Sequence, residues 1–180
     1  LSARDLLRLR AGEAISLGEE IDDAADVHAL SAAWAKLPRV AEALWKSQAL
    51  DVNAQNASGE TALMMAALRG HMAWMQRLID RGAQVHKEGW SPIHYAATGP
   101  ETKAVALLIE RGAPIEALSP GKDTPLMMAA RYGAEGSVDL LLARGASASI
   151  KNERSFDALD MARAAGRDFL VDRLQKSVKR

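Results

Sequence analysis

Thr124-Pro125-Leu126-Met127-Met128-Ala129-Ala130 is a helix start compressed into seven residues. The Thr hydroxyl suits the cap, where it accepts from a first-turn N–H that has no partner inside the helix. Pro suits the first helical position, where its missing N–H costs no bond. Leu126 and the two Ala then fall at helical spacing and form one flat apolar face that a neighbouring helix can approach closely. The block recurs upstream as Thr61-Ala62-Leu63-Met64-Met65-Ala66-Ala67 and as Ser91-Pro92-Ile93-His94-Tyr95-Ala96-Ala97. A fainter copy follows at Asp157-Ala158-Leu159-Asp160-Met161-Ala162-Arg163.

Two further landmarks keep the same register. Gly70, Pro100 (with Gly99 beside it), Gly133 and Gly166 stand nine residues after the block starts and end the first helix. Arg81-Gly82-Ala83, Arg111-Gly112-Ala113 and Arg144-Gly145-Ala146 place a second glycine 21 residues after the first three starts. An apolar pair precedes each triplet, as in Leu78-Ile79. Between the landmarks Met72, Met75, Leu78 and Ile79 follow the spacing of an amphipathic second helix. The closing Gly supplies a left-handed turn that bulky residues resist. One such pair of short helices cannot bury its own apolar face, so the units have to stack.

This pattern resembles the ankyrin repeat, with its period of about 33 residues and its Thr-Pro-Leu-His-x-Ala-Ala signature. The resemblance covers residues 28–180. It implies an all-α solenoid of four to five helix-turn-helix repeats in one domain over 1–180. Residues 1–27 form an N-terminal cap, and repeats run near 28–60, 61–90, 91–123, 124–156 and 157–180. The first repeat is degenerate, with His28-Ala29-Leu30-Ser31-Ala32-Ala33 at the block position and Asp51-Val52-Asn53 closing it. Helix pairs are expected at 29–35/39–47, 62–69/72–81, 92–98/102–111, 125–132/135–143 and 158–165/168–176. An amphipathic helix at 2–10 caps the stack, followed by a Gly- and acid-rich loop at 11–23. Only His94 keeps the family's His; Met64, Met127 and Asp160 replace it, which puts polar pairing between repeats in doubt there. The charged stretch from Arg163 to Arg180 and the acidic 19–26 segment fit polar end caps.

Composition narrows the functional classes. The 180 residues carry 23 basic and 23 acidic side chains, 48% apolar and 4% aromatic residues, 13 Gly, 6 Pro and no Cys. Without Cys there is no disulfide scaffold, thiolate metal site or cysteine nucleophile. A zero net charge argues against nonspecific nucleic-acid binding. No apolar run approaches the roughly 18 residues of a membrane span. The ends differ in sign: residues 1–27 hold three basic and seven acidic side chains, residues 150–180 eight and five. Solvated caps account for this gradient. The chain starts at Leu1, which reads as a processed or trimmed form with no leader in view.

In ankyrin-like proteins the first helices and the loops between repeats line the protein-binding side. Within each block the Leu and the Ala pair face inward, while the residue before the pair and the two after it share the outward face. Across the repeats this gives Met65, Leu68 and Arg69; Tyr95 and Thr98; Met128, Arg131 and Tyr132; and Met161. Glu60, Trp90, Asp123 and Phe156 precede the blocks in the loops. Met, Tyr, Trp and Arg are the side chains enriched at interface centres. Gly82 to Ser91 spans nine residues, whereas Gly112 to Thr124 and Gly145 to Asp157 each span twelve. The shorter connection predicts a notch in the row of loops at Lys87-Glu88-Gly89-Trp90.

Catalytic chemistry is hard to find. His28, His71, His86 and His94 form no H-E-x-x-H or i, i+4 pair, so no zinc site is supported. Glu19-Glu20 and Asp22-Asp23-Asp26 lack the spacing of a calcium loop. There is no G-x-G-x-x-G, Walker or G-x-S-x-G motif, and Ser119-Pro120-Gly121-Lys122 reads as a turn. Trp34, Trp45 and Trp74 fall at apolar helix positions and are expected in the core. The expectation is a non-catalytic, monomeric module without cofactor that binds another protein, inhibiting or stabilising it. The alternatives are a small-molecule or cation binder or enzyme using the notch at 86–95 or the acidic N-terminal segment, and a structural cap in a larger assembly. The Leu-Met-Met-Ala-Ala block and the Ala- and Arg-rich composition resemble bacterial ankyrin-repeat proteins. That implies a periplasmic setting, with the cytoplasm or secretion as other placements.

Overall fold

The computed structural model describes residues 45–46 and 51–178. The expected cap at 1–27, the helix pair at 29–35/39–47, Trp34 and His28 lie outside these, except that Trp45 and Lys46 are helical. The chain forms two compact units, Leu1–Ala62 and Leu63–Arg180. In the first, Asn56 organises the loop before the Thr61 block: its Oδ1 accepts from the N–H groups of Ser58 and Glu60 at 2.9 and 3.0 Å.

Eight helices are described in full: α1 (Ala62–Leu68), α2 (Met72–Asp80), α3 (Pro92–Thr98), α4 (Thr102–Glu110), α5 (Pro125–Tyr132), α6 (Glu135–Ala143), α7 (Ala158–Ala164) and α8 (Asp168–Val178). Among the described residues there is no strand. In the second unit each first helix pairs with its own second helix, α3 with α4, α5 with α6 and α7 with α8. First helices stack on one another, α3 on α5 and α5 on α7; second helices do the same, α2 on α4 and α4 on α6. Ala66, Ala67, Ala96, Ala97, Ala129 and Ala130 are fully buried, which allows close stacking, and Leu63, Ile93, Leu126, Met75, Leu108 and Leu141 fill the layer between first and second helices.

The repeated Arg-Gly-Ala triplets are one C-terminal cap used three times. Gly82, Gly112 and Gly145 take φ values of 96°, 89° and 90°. Their left-handed turn lets Ala83, Ala113 and Ala146 donate back to Leu78, Leu108 and Leu141, each at 2.9 Å, which pairs carbonyls the helix leaves open. The first-helix glycines divide into two kinds. Gly70 and Gly166 are left-handed, at 68° and 67°. Gly99 and Gly133 are extended, at −76° and −81°, and serve close approach instead. A Cβ on Gly99 would lie 2.6 Å from the Leu68 carbonyl oxygen, and one on Gly133 would collide with the Ala97 carbonyl oxygen.

The last unit closes the second-helix side with charge. Arg167 donates to the carbonyls of Ala129 and Ala130 at 2.8 and 3.1 Å, where α5 ends and cations are favoured. Arg173 lies 3.2 Å from both Glu135 and Asp139 of α6. Three expectations need correction. Trp74 is half-buried, with the Arg77 guanidinium 4.3 Å above its ring, and does not lie in the core. Its register mates Ala104 and Ser137 are fully buried at a close helix approach that has no room for an indole. Trp45 is likewise only half-buried. Met161, placed outward by spacing, is buried at 1% exposure because α7 lies against α5.

Candidate functional site

The site begins with the shortened connection. Gly89 turns the chain at φ 73°, and Trp90 follows directly before the block. Trp90 stands edge-on to His94 with ring centroids 5.4 Å apart, and edge-on to Tyr95 at 6.4 Å. Edge-to-face geometry sets the positive rim of one ring against the negative face of another, worth about 0.5–1.5 kcal/mol a pair. The indole is thus braced on α3, yet 37% exposed.

His94 supplies the rigid floor. Its Nδ1 accepts from the Ser91 N–H at 3.2 Å, so Nε2 carries the hydrogen and donates to the carbonyls of Ala117 and Asp123 at 3.0 and 3.1 Å. Burial holds the imidazole below its ordinary value of 6.5, against the opposing pull of these hydrogen bonds and of the Asp123 charge. A neutral His94 therefore joins α3 to the following loop. Met127 and Asp160 keep half of that duty. The Met127 sulfur accepts from the Thr124 N–H at 3.4 Å, and the Asp160 carboxylate from the Asp157 N–H at 3.2 Å. Neither a thioether nor a carboxylate has a hydrogen to give the next loop.

Leu68, Trp90, His94, Tyr95, Thr98 and Met128 enclose a pocket of about 220 Å³. Its floor is short of free polar atoms, since both His94 nitrogens are used and the Thr98 hydroxyl donates to the His94 carbonyl at 2.9 Å. Five of these six were expected on the outward row or at the notch; His94 was expected to be structural. Beside the pocket, Tyr132 is 54% exposed, with the Arg131 guanidinium 5.0 Å over its ring. Met65 is half-buried and Arg69 exposed on or just after α1.

The loop residues behave differently. Asp123 spends its carboxylate inside the fold: Oδ1 accepts from Asn152 Nδ2 at 2.7 Å, and its N–H donates to Ser119 Oγ at 2.9 Å. Phe156 is 39% exposed with Arg154 5.6 Å over its ring. Glu60, in the first unit, accepts from Asn56 Nδ2 at 2.8 Å. The sequence reading missed the residues that shape these loops. Asn56, Ser119 and Asn152, all buried, stand five residues before their blocks and bind the N–H groups of the loop tip. Their fixed offset was the available signal.

A second hollow, of about 730 Å³, lies between the end of α6, the 145–149 loop and α8. Its guanidinium, Arg173, is held by Glu135 and Asp139, which leaves little net charge to recognise an ion. Among the described residues no His, Cys, Asp and Glu cluster could hold a metal ion, and no helix is long and apolar enough to cross a membrane.

Stacked two-helix units with an aromatic-lined row along the first helices define a repeat scaffold of the kind that binds through its surface. The family model for ankyrin repeats (three copies) matches residues 30–119 and 87–152, and the chain belongs to the ankyrin-repeat family. Ankyrin repeats are protein–protein interaction modules. The chain is similar to Ankyrin repeat and KH domain-containing protein mask of Drosophila melanogaster, 35% identical over 99 residues that cover 52% of this chain and 2% of that protein. It is similar to Ankyrin repeat and SOCS box protein 18 of Homo sapiens, 34% identical over 143 residues, 59% of this chain and 31% of that one. A third likeness is to the human Ankyrin repeat and KH domain-containing protein 1, 42% identical over 99 residues, 52% and 4% of the two chains. The chain thus spans less than a third of each relative's length. These relatives come from fly and human, so the likeness to bacterial members rests on the sequence blocks alone.

Proposed function

We propose that this chain is a non-catalytic, monomeric module that holds a partner protein along the outward row of its first helices, inhibiting or stabilising it. The observation that carries the reading is the pocket between Leu68, Trp90, Tyr95, Thr98 and Met128. Its walls are apolar and aromatic, and the polar atoms of its floor are already hydrogen-bonded within the fold. Such a surface gains by excluding water against another apolar surface and offers no group in a state to do chemistry. The size argues the same way. A volume of 220 Å³ lies below the roughly 300–1,000 Å³ of small-molecule sites, which favours a protein side chain over a metabolite.

Affinity capture with the full chain and with the Trp90→Ala/Tyr132→Ala variant tests this. The full chain should retain one protein in stoichiometric amount, and the variant should lose it while melting at the same temperature. Equal capture by both would place recognition elsewhere.

A further inference from the structure

The pocket's surroundings say what kind of segment fits it, an inference that rests on the protein-binding reading above. The three first helices around it carry no carboxylate: α1 reads ALMMAAL, α3 PIHYAAT and α5 PLMMAARY. Their charged neighbours on the same face are cationic. Arg69 directly follows Leu68, and Arg131 lies one turn beyond Met128, three residues along α5. At the loop end, Asp123 is engaged by Asn152 at 2.7 Å, Lys122 stands 3.9 Å from Glu153, and Glu88 is preceded by Lys87. The loop ends are therefore close to balanced, and the helix face is apolar in the middle with positive charge on either side along the row.

We propose that the pocket takes one large apolar side chain from an extended peptide segment of the partner, and that the residues flanking this anchor are acidic. The anchor fills the space against Trp90, Tyr95 and Met128, where it is shielded from water on all sides but one. The flanking carboxylates reach Arg131 and Arg69. Arg suits this because its planar fork accepts a carboxylate in a bidentate manner and stays charged at any working pH. A basic segment would meet like charges at both ends and be rejected.

The test is selection of random twelve-residue peptides displayed on phage against the full chain at moderate salt. The enriched sequences should share one Leu, Ile, Met, Phe or Trp with Asp or Glu within three positions. A synthetic copy of the strongest should lose about thirtyfold or more in affinity when its anchor becomes Ala, the scale of a buried hot spot. The same loss is expected when Thr98→Trp fills the pocket, and affinity should fall with rising salt. If Thr98→Trp lowers the melting temperature, Trp90→Ala, which removes a wall on the solvent side, takes its place with the same expected loss. Peptides with basic flanks, or no enriched peptide at all, would overturn the proposal. So would peptides that bind the filled variant as well as the parent. That last result would leave the protein-binding reading standing, whereas loss of the reading itself would show as unchanged capture of the partner protein by Trp90→Ala/Tyr132→Ala.

Discussion

Replacing Gly133 by Ala isolates the close stacking of first helices from every other role a glycine plays. The residue has φ −81° and ψ 178°, a conformation Ala adopts freely, so backbone strain contributes nothing. The added methyl group overlaps the Ala97 carbonyl oxygen and would lie 3.0 Å from Ala129 Cα and 3.1 Å from the Ala97 carbonyl carbon. All three obstacles are backbone atoms of stacked helices, which cannot rotate away as a side chain can. Overpacking of this kind costs about 1–3 kcal/mol, and rigid surroundings put the expected loss near 3 kcal/mol. Gly112→Ala is the control. That site is left-handed at 89° with no atom within 4 Å, so it bears backbone strain alone, roughly 1–2 kcal/mol. Urea unfolding followed by far-ultraviolet circular dichroism reads both. If Gly133→Ala costs no more than Gly112→Ala, the stacking geometry argued here is wrong.

Three other outcomes follow from particular contacts. His94 is held neutral by burial, below its ordinary 6.5, so the unfolded chain binds a proton there that the folded chain refuses. Stability should be full above about pH 6.5 and fall as the pH drops towards the lowered folded value; His94→Gln should flatten that part of a melting-temperature profile. Asn152→Ala removes the acceptor of the Arg154 and Phe156 N–H groups and the donor to Asp123; a loss of about 1–3 kcal/mol is expected in urea melts. Trp90→Ala with Tyr95→Ala should weaken partner affinity by about 2 kcal/mol or more by titration calorimetry while lowering stability far less.

Local chemistry made the helices legible. Thr or Ser with Pro starts each middle block and Gly follows each second helix, so expected and observed ends agree within one or two residues from α1 to α8. The loops were harder. Lys122 and Ser155 take φ 59° and 63°, in register with Gly59 and Gly89, and nothing in a lysine announces a left-handed turn. The hydrogen bonds that hold them there come from Ser119 and Asn152, residues ordinary in any loop. Periodicity found Trp74 on an apolar stripe but carries no measure of room, and room is what Ala104 and Ser137 reveal at the same register. Spacing put Leu68, Tyr95, Thr98 and Met128 on one face, and the three-residue deficit put Trp90 beside them. That they close around a pocket depends on the indole resting against His94, a contact between side chains that spacing does not encode.

Hydroxyl-radical footprinting of the full chain, free and bound to its captured partner, addresses the binding face most directly, because it reads side chains one at a time. The account predicts that Trp90, Met128 and Tyr132 lose reactivity on binding while Trp74 and Phe169, on the second helices, keep theirs. Protection confined to Trp74 and Phe169, with Trp90 and Tyr132 as reactive as in the free protein, would contradict it.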